Sequence, residues 1–346
     1  MKTTRKLLAV LLTLLMLFAL AGCGGGSNNN TTPANNEPQQ NTEPAQNTEP
    51  VEEPLDWPTS NIEVIVPYNP GGDTDTYARA LLEDLSKELG VTVSITNMTG
   101  SSGAVAAEHV KGSNPDGYTV LFWHSSILTN KIFGNVDYSY EAFDNANILV
   151  QNGSYFVFCS PKWSSFDELL AYAKDHPGEV IAGGTNGGFN YLATIVLEGA
   201  CGIDFGYVDC TSAGDAAVEI MAGRMDVFLT MLPAMKDYVE SGDINCVACV
   251  GAERSAAAPD VPTLVEMGHD DIKIQQTYGF HFPKGTDPRI IEKWNEACAK
   301  CVATDSYKQI NDGYGSVVTT YYGDDATAVW ASEMEYYMGF DKYFTW

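Results

Sequence analysis

Apolar positions set two rhythms along the chain, and they alternate. Residues 62–66 are β-branched and apolar except for Glu63, which predicts a short buried strand. Pro67, Pro70, Gly71 and Gly72 then break the regular backbone, with Asp73, Thr74 and Asp75 as candidate helix N-caps. Tyr77, Leu81, Leu82, Leu85 and Leu89 follow at helical spacing, and Gly90 is placed to end that helix. Strands are predicted over 91–95 and 118–123, with a short helix over 104–110 between them. This β-α-β-α-β order implies parallel strands joined by right-handed crossovers. Two apolar runs, 148–151 and 155–159, flank Asn152-Gly153-Ser154.

A second alternating series starts near Pro161. Ser164 or Ser165 caps a helix carrying Phe166, Leu169, Leu170 and Tyr172, which His176-Pro177-Gly178 ends. A strand over 180–182 leads into Gly183-Gly184-Thr185-Asn186-Gly187-Gly188-Phe189-Asn190 and a helix through Tyr191, Ile195 and Leu197. Strands over 205–208, 226–230 and 246–250 alternate with helices over 214–222 and 233–240. A turn-rich segment and a short helix to Met267 follow, then a strand over 278–282 and a helix opened by Asp287-Pro288. The end of the chain reads as a strand at Val317-Val318 and an aromatic-rich helix. Each series contains one strand, one glycine-rich turn and one helix start in that order. Free amides of a first helical turn attract anions, so two α/β lobes with a cleft between them are expected.

The first 55 residues lie outside this pattern. Lys2, Arg5 and Lys6 precede an apolar run over 7–21 that is short for a membrane span, and Leu20-Ala21-Gly22-Cys23 matches a lipobox. Residues 1–22 are therefore expected to be a lipoprotein signal peptide, with Cys23 lipidated on the outer face of the membrane. Residues 23–55 form a low-complexity tether without aromatic side chains before Trp57. Charge then narrows the partners. With 19 basic and 45 acidic side chains, net −26, the chain is unsuited to nucleic acid or to anionic lipid. Any anionic ligand must be held by local dipoles against the overall field.

Candidate chemistry is sparse. Apart from Cys23 there are seven cysteines, with two Cys-x-x-Cys pairs at 246–249 and 298–301. The first lies in a strand, where such positions face opposite sides, and the second in a helix, so buried reduced thiols are expected rather than zinc. His109, His124, His176, His269 and His281 show no metal-ligand spacing, and no nucleophile elbow or Walker loop is present. His124 follows a strand beside Ser125 and Ser126 and could line the cleft; His281 reads as a core residue. Asp73 and Asp75 lack the longer ligand series of a calcium loop. No cofactor, metal or catalytic residue is expected.

Four motifs in order carry a resemblance. They are Pro67-Tyr68-Asn69-Pro70-Gly71-Gly72-Asp73-Thr74-Asp75-Thr76-Tyr77-Ala78-Arg79, Pro115-Asp116-Gly117-Tyr118-Thr119, Arg254-Ser255 with Pro259-Asp260-Val261-Pro262-Thr263, and Pro283-Lys284-Gly285-Thr286. From Trp57 to about Phe340 the chain resembles the Bug family, the extracytoplasmic solute receptors of tripartite tricarboxylate transporters. The resemblance implies a two-lobed, type II periplasmic-binding-protein-like α/β fold. Lobe one would comprise 56–159 and 275–346, and lobe two 160–274, closing around crossovers near Cys159 and Ile274. It also implies a monomeric, non-enzymatic receptor that hands a small carboxylate to membrane permease subunits. The carried-over ligand-binding residues are Tyr68, Asn69, Gly71, Gly72, Asp73, Thr74 and Asp75 in the first loop, and Thr185, Asn186, Gly187, Gly188 and Asn190 in the second; Ser125 and Ser126 join them. Three departures make the cleft less basic. Tyr191 stands where the family carries histidine, Asp209-Cys210-Thr211-Ser212 replaces a cation-bearing motif, and Asp73 occupies a position more often neutral. A monocarboxylate, a dicarboxylate or an amine-bearing carboxylate is therefore expected rather than citrate, with Asp73 either an ammonium partner or a helix cap. A surface sensor with the same fold and no permease is the alternative.

Overall fold

The computed structural model describes residues 54–210 and 212–344. The expected signal peptide, Cys23, nearly all of the expected tether and Thr211 lie outside the described residues.

Strand β1 (Ile62–Val66) falls where the apolar run predicts it and is almost wholly buried. It pairs in parallel with β2 (Val93–Asn97) and β3 (Thr119–His124), as the βαβ reading requires. Helix α1 (Asp73–Leu89) joins β1 to β2, and Gly90 ends it in the left-handed conformation at φ 72°. Helix α2 (Ala104–Lys111) joins β2 to β3, and α3 (Ser126–Ile132) follows β3. Strands β4 (Phe143–Asn145) and β5 (Asn147–Asn152) both pair antiparallel with β11 (Gln276–Pro283), which itself lies antiparallel to β3.

The second sheet takes up the middle of the chain. Its order is β10-β6-β9-β7-β8, built from β6 (Tyr155–Cys159), β7 (Ile181–Gly184), β8 (Gly206–Asp209), β9 (Val227–Met231) and β10 (Asn245–Cys249). Helices α4 (Phe166–Asp175), α5 (Phe189–Cys201), α6 (Ala213–Met221) and α7 (Lys236–Ser241) connect these strands. The chain then returns to the first sheet through β11, α8 (Pro288–Val302), α9 (Asp305–Tyr314), β12 (Val317–Tyr322) and α10 (Gly323–Met338). Helix starts follow side-chain caps where these exist. Ser165 accepts from the Glu168 amide, Ser212 from Asp215 and Asp287 from Arg289.

Several expectations need correction. The N-cap of α1 is Gly72, without a side-chain cap bond, so Asp73, Thr74 and Asp75 are inside the first turn rather than capping it. The helix expected to end at Met267 is a set of turns, and α3 and α9 were not foreseen. The chain changes sheets at Gly153-Ser154, whereas Cys159 sits inside the second sheet, paired with Val227 and Asn245. Cys246 is half-buried and the other six described cysteines are buried.

Candidate functional site

The site is built where β1 and β7 each run into a glycine turn and a helix. In the first loop, Asp75 is the brace. Its carboxylate accepts from the Gly71 amide at 2.9 Å, Arg79 Nε at 2.7 Å and Asn97 Nδ2 at 2.9 Å. These bonds hold the buried carboxyl below its ordinary pKa against the opposing effect of burial. Asp75 is thereby committed to the loop. Asp73 is free of that brace and accepts from the Tyr278 hydroxyl on β11. Asn69 and Gly71 are exposed, Tyr68 and Gly72 half-buried. The Thr74 hydroxyl is fully buried and without a hydrogen-bond partner among the described residues.

The second loop closes on itself. Gly188 N donates to Thr185 O at 2.7 Å, the Thr185 hydroxyl donates to Cys210 O at 2.9 Å, and Asn190 Oδ1 accepts from Tyr191 N at 2.9 Å. Gly188 is the N-cap of α5, again with no side-chain bond. The loop also faces the first sheet's elements. Gly187 O accepts from the Thr129 hydroxyl on α3, and Asn186 O accepts from Ser102 Oγ at 3.0 Å.

An aromatic cluster fills the junction. Tyr68 stacks on His124 with centroids 4.9 Å apart, and His124 meets Tyr278 at 5.4 Å and Phe189 at 6.5 Å. Phe189, the first residue of α5, packs edge-on against Tyr155 and Tyr337. Burial pushes His124 down to about 4, so the imidazole is neutral at physiological pH. Burial likewise pushes Tyr68 up to about 12. Asp73 acts electrostatically on Tyr68, His124, Tyr155 and Tyr278 alike. The local field is therefore that of one carboxylate among neutral rings.

The two serines after β3 differ in use. Ser125 Oγ accepts from the Thr277 amide at 2.9 Å and donates to Glu333 at 3.1 Å, so it is spent inside the first lobe. Ser126 is fully buried, with its hydroxyl set against that of Tyr68. Ser102, Thr129 and Asn130 are contacts between the two loops that sequence reasoning missed. Ser101 and Ser102 hold φ values of 46° and 51°, each a conformation that costs a non-glycine residue about 1–2 kcal/mol. The Ser102 carbonyl is fixed there by the Tyr68 hydroxyl at 3.3 Å and Asn130 Nδ2 at 2.9 Å. The Gly100-Ser101-Ser102-Gly103 string was the available signal.

Among the described residues no cluster of three or more His, Cys, Asp or Glu side chains could hold a metal, and no helix is long and apolar enough to cross a membrane. Residues 77–328 match the family described as the tripartite tricarboxylate transporter family receptor. Protein BugT of Bordetella pertussis is 30% identical over 241 residues, covering 68% of this chain and 74% of that one. A TctC solute-binding protein from Polaromonas is 27% identical with a TM-score of 0.67, covering 83% of this chain and 99% of that one. A Rhodopseudomonas palustris protein solved with adipate shares 24% identity at a TM-score of 0.75, over 83% of this chain and 98% of its own. The two sheets and their cleft thus form a two-lobed periplasmic-binding-protein fold, and the chain belongs to the tripartite tricarboxylate transporter receptor family of extracytoplasmic solute-binding proteins.

Proposed function

We propose that this protein is a lipid-anchored receptor on the outer face of the membrane. It closes on a small mono- or dicarboxylate, or on a carboxylate bearing an amine, and delivers it to membrane permease subunits. The observation that carries this reading is that two uncapped helix starts meet around Asp73, with Tyr68, His124 and Phe189 packed between them. Thr74, in the first turn of α1, adds a buried hydroxyl without a hydrogen-bond partner among the described residues, a cost that a ligand carboxylate oxygen reaching it would remove. The uncapped starts of α1 and α5 supply amides and a positive dipole end for the same carboxylate.

Charge selects within the class. A tricarboxylate would bring three negative charges to a site whose histidine is neutral and whose one acting charge is Asp73. An ammonium group would instead find a carboxylate there, flanked by tyrosine rings. Relatives support the dicarboxylate end of the range, one being solved with adipate. In this reading the lobes meet at Gly153-Ser154 and at residues 274–276, where the Ile274 amide donates to Val250 O at 3.0 Å. Rotation about these segments opens and closes the cleft. Chemistry is not required of the site, in keeping with the solute-binding relatives.

Native mass spectrometry of freshly purified protein, followed by thermal shifts with mono-, di- and tricarboxylates and amino acids, tests the reading. A ligand at a hundredfold excess over its dissociation constant should stabilise by about 2.7 kcal/mol. Amine-bearing ligands should lose affinity in Asp73→Ala. Tight citrate binding, together with amine-bearing ligands indifferent to Asp73→Ala, would sink the charge argument.

A further inference from the structure

A groove of ≈ 830 Å³ lies in the first lobe, away from the cleft. It is framed by β4, α8, the β12–α10 junction and the turn after β11, all parts of the first sheet and its helices. Along β11, Tyr278 faces the cleft and Pro283 borders β4 beside the groove. Five residues of strand separate them, roughly 17 Å. The floor is apolar, with Phe143, Ile291 and Tyr322 contributing. The rim is acidic. Asp144 is neutralised by Lys284 at 3.1 Å, but Glu292, Glu296 and Asp324 have no ion-pair partner within 4 Å among the described residues. Glu292 and Glu296 are exposed one turn apart on α8, where like charges repel, and Lys300 one turn further acts on Glu296 electrostatically without reaching ion-pair distance. The Tyr322 hydroxyl, at the same groove, is buried and without a hydrogen-bond partner among the described residues.

We infer that this groove docks a basic, amphipathic peptide segment presented by the membrane partner that receives the solute, an inference that rests on the transport reading above. Charge decides the occupant. A second copy of a chain with net charge −26 would be repelled, as would an anionic lipid surface. The chain's own residues 24–53 carry five glutamates and no lysine or arginine, so they do not complement the rim. A segment with apolar residues on one helical face and lysine or arginine on the other satisfies the floor and the rim together. Because the groove belongs to one lobe, the partner keeps its hold whether the cleft is open or closed.

The test uses the full chain and two fluorescein-labelled fourteen-residue peptides read by anisotropy at physiological salt. One carries leucine and lysine on opposite helical faces; the other has glutamate in place of lysine. The lysine peptide should bind and the glutamate peptide should not. Glu292→Lys with Glu296→Lys should weaken binding at least tenfold. Asp175→Lys with Asp270→Lys, an equal change of charge at exposed positions elsewhere, should change it less than twofold. Ile291→Asn, which leaves the charge alone, should weaken binding severalfold. Melting curves of each variant verify folding. Equal losses in the two charge variants, no effect of Ile291→Asn, or binding of the glutamate peptide would overturn the groove assignment. The carboxylate panel run on the same variants reads the cleft independently. If no solute stabilises the protein while the groove results hold, the transport reading fails and the groove stands.

Discussion

The two glycine-rich loops share one construction and divide its labour. Each follows a strand, each places a glycine at the helix N-cap, and neither uses a side chain as a cap. The first carries Asp73 and Asp75 in its opening helical turn, whereas the second opens on Phe189 and carries no acid there. Asp75 ties the first loop to Arg79 and Asn97, while the second is closed by its own Thr185 and Asn190. The first loop is thus fixed from behind and presents charge. The second is fixed from within and presents an aromatic face. A helix start attracts an anion in either case, so discrimination comes from what stands beside the amides.

The comparison can be broken most severely at Phe189, which is 3% exposed between Tyr155, His124 and Tyr337. Phe189→Ala should cost about 4 kcal/mol in chemical denaturation, since it empties a packed junction between the sheets. A loss below about 1 kcal/mol would mean the second loop does not depend on its aromatic face.

Next in size is a pH effect from one buried carboxyl on α10 and one on α5, the helix that the second loop starts. Glu333 on α10 accepts from Ser125, Gln275 and Thr277, and Glu198 near the end of α5 accepts from the Phe205 amide at 2.6 Å and the Tyr207 hydroxyl. Burial raises each carboxyl from 4.5 to about 7. The folded chain therefore holds these protons more tightly than the unfolded one. The stability they contribute is complete below about pH 4.5 and is lost as pH rises through about 7, on the order of 3 kcal/mol per group. Denaturation midpoints between pH 4.5 and 8 should follow this fall, and Glu333→Gln and Glu198→Gln should each flatten part of it. A slope unchanged in both variants would assign the pH dependence elsewhere.

Asp75→Ala should cost about 2 kcal/mol, because it removes the one acceptor that the Gly71 amide, Arg79 and Asn97 share, whereas Asn190→Ala in the second loop should cost about half of that. Equal losses would remove the distinction between external and internal bracing.

The glycines give the smallest effect. Gly71 has φ 85° with open space around an added methyl group, so Gly71→Ala should cost about 1 kcal/mol in stability alone. Gly187 has φ 78°, and its added methyl would land on the Asn135 carboxamide after α3. Gly187→Ala should therefore also weaken ligand binding, by severalfold in a thermal-shift titration. Matching ligand affinities in the two variants would erase the asymmetry.

How much of this was readable depends on the range of the interactions. β1 and α1 were legible because four apolar residues in a five-residue run and five more at helical spacing state their period locally. Helix α3 was not, since Ser126 to Asn130 are all buried and a helix buried on every side has no polar stripe to mark it. Helix α9 buries only Tyr307 and Asn311, too few to set a rhythm, and contains Gly313. The Val265–Met267 segment looked helical by composition, but the amides of Met267, Gly268 and His269 bond back at mixed intervals of three, four and five residues, as successive turns. In the site, the glycine turns could be found from their spacing. The partner of Asp73 could not, because Tyr278 lies 205 residues further along the chain. Asp73 and Asp75 are two residues apart and similar in sequence; only the positions of Arg79, Asn97 and Tyr278 give them opposite uses.

The Tyr278 hydroxyl is, in effect, a resident occupant of the Asp73 carboxylate. On the proposed reading, an arriving ammonium group must share that carboxylate with the phenol or displace it. A stray monovalent ion offers one weak contact in exchange and is turned away. A solute that also bonds the loop amides makes the exchange favourable. The tyrosine thereby sets an admission threshold, so that the receptor answers to a whole molecule and not to charge alone.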